Sequence, residues 1–278
     1  MNKKIILLSL IITSSFSNYS FAQKKKDELA TNANVYLFKA DWSAAANLDE
    51  CIYFMQVVKQ DDSCYICRYY QKFGPMARQE SFKDEDLTIP NGRFCWYNNK
   101  GFLDSTGYVK NGKKDNYWDY YKDGEHTLSI KYYNGKYVNK TDYVAKIFYD
   151  ESGTQVSLEE KQKADSLYMD SLKVVQVVPK FKKGVKDWIQ YIKDNLETPD
   201  RLVNVLGHGT HTAIVVFMID KSGFVDKDIY LQKSVEWYGD AEVFSLITSS
   251  PQWQPAYQNN EPVFYRMKQS LTFQVNSQ

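Results

Sequence analysis

The closing stretch Ser249–Val275, SSPQWQPAYQNNEPVFYRMKQSLTFQV, decides how the rest of the chain is read. A Trp-Gln-Pro corner, Trp253 to Pro255, sets the backbone direction, and a polar turn at Asn259-Asn260-Glu261 reverses it. From Pro262 to Val275 apolar and polar residues then alternate with the period of two that marks a half-buried strand. The alternation changes phase near Lys268 to Ser270, which predicts a bulge. No obvious catalytic group accompanies this long, aromatic strand.

Working back from it, Val174 to Val178 reads as a short strand broken by Pro179. A helix over Lys183–Leu196 follows, because Val185, Trp188, Ile189, Ile192 and Leu196 recur at spacings of three and four, and Pro199 ends it. His211–Ile219 and Phe224–Leu231 flank a turn at Asp220 to Gly223 as a hairpin, and a second helix covers about Asp240–Thr248. The order helix, hairpin, helix, strand predicts an α+β unit over residues 174–278: a small antiparallel sheet with two helices on one face.

On these residues the segment from about Val174 to Val275 resembles the C-terminal domain of TonB-like energy transducers, particularly the exported kind found in Bacteroidetes. The likeness rests on Trp253, Pro255, Pro262, Val263 and Phe273 around the terminal turn, and on VVQVVPKFKKG and NLETPDRL around the first helix. Lys183-Gly184 stands where the family often has two glycines, and Asn259-Asn260-Glu261 replaces its usual Asn-Gly-Lys turn. The resemblance implies a non-catalytic module in transport across the envelope, with no cofactor. Its partner would be the N-terminal segment of an outer-membrane receptor, or another envelope protein, added as a strand. Partner contacts are then expected along Val263, Tyr265, Met267, Gln269, Leu271 and Phe273, with Trp253 fixing the strand's start against the second helix and Pro255 in a structural role. The alternative is a structural envelope protein that uses the terminal strand only to form a homodimer. The chain offers neither a membrane-held helix nor a Pro-rich spacer, so it reads as a domain shared with the transducers and not as a complete one.

Between Tyr69 and Tyr149 the grammar changes. Gly92, Gly112 and Gly135 each follow an asparagine amid Tyr, Phe and Trp residues, a signal for tight hairpins. The loose period of 20 to 23 residues resembles MORN-type repeats over roughly 74–140. Residues 74–150 are therefore expected to form a β-rich repeat array, either a spacer or a contact surface for protein or glycan, that folds by itself. Residues 151–173 read as a linking helix opened by a Ser157/Glu160 capping box. Residues 23–73 look helical or mixed, with Ala44 to Ala46 favouring helix and Val57-Val58 favouring strand.

The chain opens with two lysines, an apolar run and Ser20-Phe21-Ala22, the layout of a signal peptide over 1–22 and hence of an exported, periplasmic protein. With 35 basic against 34 acidic residues, nucleic acid is an unfavoured partner. Cys51, Cys64, Cys67 and Cys95 are even in number, so two disulfides are expected in an exported chain. A thioredoxin-type pair at Cys64/Cys67 lacks the strand-to-helix context it needs, and zinc lacks a second paired knuckle. The histidines of GHGTHT, His208 and His211, bring no third ligand, and no Gly-x-Ser-x-Gly elbow occurs. Catalytic, cofactor and metal roles are therefore assigned to no residue.

Overall fold

The computed structural model describes residues 34–171, 176–182 and 184–275. The signal-peptide reading, and the start of the strand expected at Val174, lie outside the described residues.

One element dominates. Eleven strands form a single antiparallel meander in which each pairs with the next: β1 (Asn34–Phe38), β2 (Tyr53–Asp61), β3 (Cys64–Gln71), β4 (Met76–Phe82), β5 (Gly92–Tyr97), β6 (Leu103–Lys110), β7 (Lys113–Lys122), β8 (Glu125–Tyr133), β9 (Lys136–Asp142), β10 (Ile147–Tyr149) and β11 (Gln155–Ser157). The described residues are mostly strand, in a long eleven-stranded antiparallel sheet with only four helices, which overturns the expected α+β class with its small terminal sheet and two helices. The difference begins at residues 34–61, where β1 and β2 stand in place of the helical or mixed reading, β2 containing the Val57-Val58 pair that favours strand. Phe38, Phe54 and Met55 are buried and Ala45 is fully enclosed, so sheet packing overrides the helix propensity of the alanines. DDSCYICRYYQKFG thus follows a strand, through a turn in which Ser63 N donates to Asp61 Oδ1 at 2.7 Å.

The Asn-Gly steps at 111–112 and 134–135 turn β6 into β7 and β8 into β9. Both residues of each step have positive φ, as a primed hairpin turn requires. Gly92 opens β5 instead of turning a hairpin. The capping box closes at the head of α1 (Leu158–Ser171): Ser157 Oγ accepts from Glu160 N at 3.1 Å, and Glu160 Oε2 accepts from Ser157 N at 3.1 Å.

The remaining elements are β12 (Gln176–Val177), β13 (Lys180–Phe181), α2 (Val185–Asn195), α3 (Asp200–Leu206), β14 (Gly209–Ile219), β15 (Tyr230–Lys233), α4 (Trp237–Thr248), β16 (Trp253–Gln254), β17 (Ala256–Gln258), β18 (Glu261–Val263) and β19 (Tyr265–Val275). β15, β14 and β19 form a three-stranded sheet in that order. The expected bulge near Lys268 is absent, since the β14/β19 register runs unbroken from Gly209 opposite Val275 to Ile219 opposite Tyr265. Gln269 is a polar side chain at an inward position, where its Oε1 accepts from Trp188 Nε1 at 2.8 Å. That bond satisfies it, and the phase never changes.

The two parts share one core. Phe54, Tyr70, Met76, Cys95, Tyr97 and Leu103 of the long sheet lie in the same buried cluster as Phe217, Leu231, Phe244 and Ile247. Polar groups stitch this seam. Tyr97 Oη donates to Leu231 O at 2.9 Å, Ser234 N to Gly101 O at 2.8 Å, and Met76 N to Ser234 Oγ at 2.8 Å. The buried Arg68 guanidinium lies 3.5 Å from the centre of the Phe244 ring while its Nε donates to Gln79 Oε1 at 3.2 Å. Asp240 is fully buried and accepts from Ser234 Oγ at 2.5 Å and Val235 N at 3.0 Å. Burial pushes its carboxyl up to about 8 despite these bonds and the nearby Arg68. One face of the array is thus covered by the terminal elements, while Phe38, Tyr69 and Phe82, and Phe94, Val109 and Trp118, form two further buried clusters within the long sheet itself.

Candidate functional site

β19 is the edge of its sheet: β14 lies on one side, and among the described residues no strand pairs with the other. Its alternation sorts the expected contact residues. Leu271 and Phe273 are each 1% exposed and belong to the shared core, so their side chains cannot meet a partner. Met267 packs against that core, and Gln269 is held by Trp188. Tyr265 is half-buried, and Val263 lies on β18 opposite Ala256, separated from β19 by the exposed Phe264. Solvent sees Arg266, Lys268, Ser270, Thr272 and Gln274. What the edge offers a partner is its backbone and this polar row.

Trp253 packs on Phe181, Trp188 and Phe217 with ring centroids 5.0, 4.8 and 6.2 Å apart. Its ring thus anchors the segment before β19 on α2, and it lies in the same buried cluster as Val243, Phe244 and Ile247 of α4. Trp253 N donates to Gly223 O at 2.8 Å, tying this segment to the turn after β14. Pro255 is half-buried between β16 and β17.

The cysteines correct the disulfide expectation, because all four are unpaired. Cys64 and Cys67 sit three apart on β3 and so point to opposite faces of the sheet. Cys67 and Cys95 belong to different buried clusters, and Cys95 Sγ meets Thr106 Oγ1 at 3.3 Å. Burial raises all four thiols, Cys95 to about 11, which disfavours the thiolate that redox or metal chemistry needs. His211 Nε2 lies 3.2 Å from Gly207 O, and no group of three His, Cys, Asp or Glu side chains suited to a metal occurs among the described residues.

A second feature lay hidden in the sequence. β7, β8 and β9 and the start of β19 enclose a polar cleft of about 320 Å³. At its floor Ser129 Oγ donates to Asp119 Oδ1, and His126 Nε2 lies 3.1 Å from Ser129 Oγ and 3.3 Å from Asp119 Oδ1. The residue types match a hydrolase triad, but the wiring does not. A triad uses one ring nitrogen toward serine and the other toward aspartate, whereas here one nitrogen faces both and the serine proton is already given to the carboxylate. Burial alone would raise Asp119, but the bonds from His126 and Ser129 bring its carboxyl below the usual range. The His126 ring is lodged between Tyr121 and Tyr143, with centroids 4.9 and 4.3 Å away. The floor is a fixed polar platform.

This cluster was not legible because a register shift makes it. The Asp123-Gly124 turn pairs Tyr121 with His126, but a bulge then sets Tyr120 opposite Leu128 and so brings Asp119 opposite Ser129. Simple hairpin counting places Asp119 opposite Leu128. Arg266 arrives from far along the chain, and no local pattern announces it.

Comparison with protein-family models, with characterised proteins and with solved structures finds no match to this chain. No helix among the described residues is long and apolar enough to cross a membrane.

Proposed function

We propose that this is a non-catalytic, exported protein-binding module that takes up an extended segment of another envelope protein along the outer side of β19. The partner is a segment such as the N-terminal stretch of an outer-membrane receptor, and the module works in the periplasm. One observation carries the reading: an eleven-residue edge strand, Tyr265–Val275, in unbroken register with β14 and with no strand beyond it among the described residues. Such an edge presents a row of main-chain donors and acceptors that an extended chain can complete, each bond adding about 0.5–1.5 kcal/mol net. The core residues Leu271 and Phe273, with the Trp188–Gln269 bond, hold the strand straight, so little ordering cost falls on this side of the complex. Export rests on the leader at residues 1–22.

The test is photo-crosslinking in cells from probes at Lys268 and Thr272, which are exposed and leave the Trp188–Gln269 bond and the buried side chains intact. Capture of an envelope protein through an extended segment supports the proposal. Crosslinks only between copies of this chain move it to the homodimer reading, and adducts that are equally strong from an exposed residue remote from β19, such as Lys122, refute it.

A further inference from the structure

The polar cleft beside β19 selects for one kind of ligand. Two arginines line it, yet Arg93 is engaged by Asp228, with Nε to Oδ1 at 2.9 Å and Nη2 to Oδ2 at 2.5 Å. Arg266 is exposed and shares the cleft with the Asp119 carboxylate at its floor, so the cleft holds a balanced pair of charges. A phosphate or polyanion would meet Asp119. An apolar ligand would strip water from Asn116, Thr141 and Arg266 without replacing their hydrogen bonds, which opposes its binding. A neutral ligand rich in hydroxyls avoids both penalties, because each hydroxyl both donates and accepts.

The walls supply the rest. Tyr117 is 45% exposed and Tyr143 is 37% exposed, both on the cleft. Tyr143 is tilted against His126 on one side and the Lys131 ammonium lies 5.5 Å from the Tyr117 ring centre, so each ring has its other face for the C–H face of a sugar and a hydroxyl for its rim. Asn116 stands at φ +57 inside β7, where three residues, 116–118, bulge past Gly107 of β6. Bulges and left-handed non-glycine residues inside strands re-aim side chains, and this one presents Asn116 and Tyr117 together at the opening. The volume is at the small end of ligand sites, room for one or two rings.

We infer that this cleft binds a neutral hexopyranose unit of a glycan, stacked on Tyr117 or Tyr143 and hydrogen-bonded by Arg266 and Asn116. The Asp119–Ser129–His126 platform lies beneath it and does not cleave it. The site is separate from the backbone edge of β19, though Arg266 belongs to the same strand.

Isothermal titration of the full chain with trisaccharides of glucose, mannose and N-acetylglucosamine tests this, with inorganic phosphate and trigalacturonate as charged comparisons. At least one neutral sugar should bind without being hydrolysed. Arg266→Ala and Tyr117→Ala, both at exposed positions, should each weaken it roughly tenfold, the loss of one charge-assisted hydrogen bond or one stacking face. The inference fails if no neutral sugar binds up to about 10 mM, if phosphate or trigalacturonate binds more tightly than every neutral sugar, or if neither variant weakens binding.

Discussion

Replacing Gly107 with alanine should destabilise the protein severely, although the new group is a single methyl. Gly107 lies on β6 directly under the indole of Trp118: a Cβ there would stand 2.1 Å from Cδ2, 2.3 Å from Cε2 and 2.5 Å from Cγ. Ordinary contact begins at 3.4 Å, so ring and strand must separate by about 1.3 Å. Neither can yield cheaply. Trp118 is buried, its Nε1 donates to Tyr108 O at 3.1 Å, and the Lys114 ammonium sits 4.1 Å from its ring centre. On the other side Thr106 is fully buried and bonded to Phe94 O at 2.9 Å. Overpacking a rigid site costs about 1–3 kcal/mol, and expelling the ring from its cluster about 3–5 kcal/mol. We expect about 3 kcal/mol, a fall in Tm of roughly 6–12 °C for a chain of this size. Urea unfolding followed by tryptophan fluorescence and circular dichroism measures it, with Gly112→Ala as control. Gly112 has open space around it and φ +76, so alanine there pays only left-handed strain, about 1–2 kcal/mol. A Gly107→Ala loss equal to or smaller than that of Gly112→Ala, with native fluorescence retained, would refute the stacked-ring account. The same variant should disturb the bulge that presents Asn116.

Asp240 makes stability fall with rising pH. The unfolded chain gives up this proton near 3.8 and the folded chain near 8, so between those values the native state holds the extra proton and each step up in pH favours unfolding. Asp240→Asn should therefore gain about 2–4 kcal/mol relative to the parent between pH 5 and pH 8; parallel stability curves for the two proteins over that range would sink the argument. A fragment of residues 23–150 should not fold to a cooperative monomer, because it would expose the face formed by Phe54, Tyr70, Met76, Tyr97 and Leu103 and leave Arg68 without Phe244. A sharp two-state melt of that fragment at low concentration would contradict the shared core.

Much was legible where local chemistry acts alone. The Asn-Gly hairpins, the Ser157/Glu160 capping box, the helix periodicity of Val185 to Ile192 and the alternation of the last strand follow from φ preferences, capping and side-chain period, which need no distant neighbour. The eleven-strand meander was half visible, as aromatic hairpins, but its first strands were masked by alanines whose propensity yields to burial. Four cysteines were countable, and their pairing was not, because pairing depends on which faces of which strands they occupy. Gln269 looked like a break in phase until Trp188, 81 residues away in sequence, supplied its hydrogen bond. The Asp119–His126–Ser129 platform needed a one-residue bulge, and its opposite wall needed Arg266. The sequence by itself thus determined the turns, the strands' alternation and the edge-forming terminal strand. Only the tertiary structure decided that the repeat sheet and the terminal unit share one core, because the apolar area each leaves open is buried by the other.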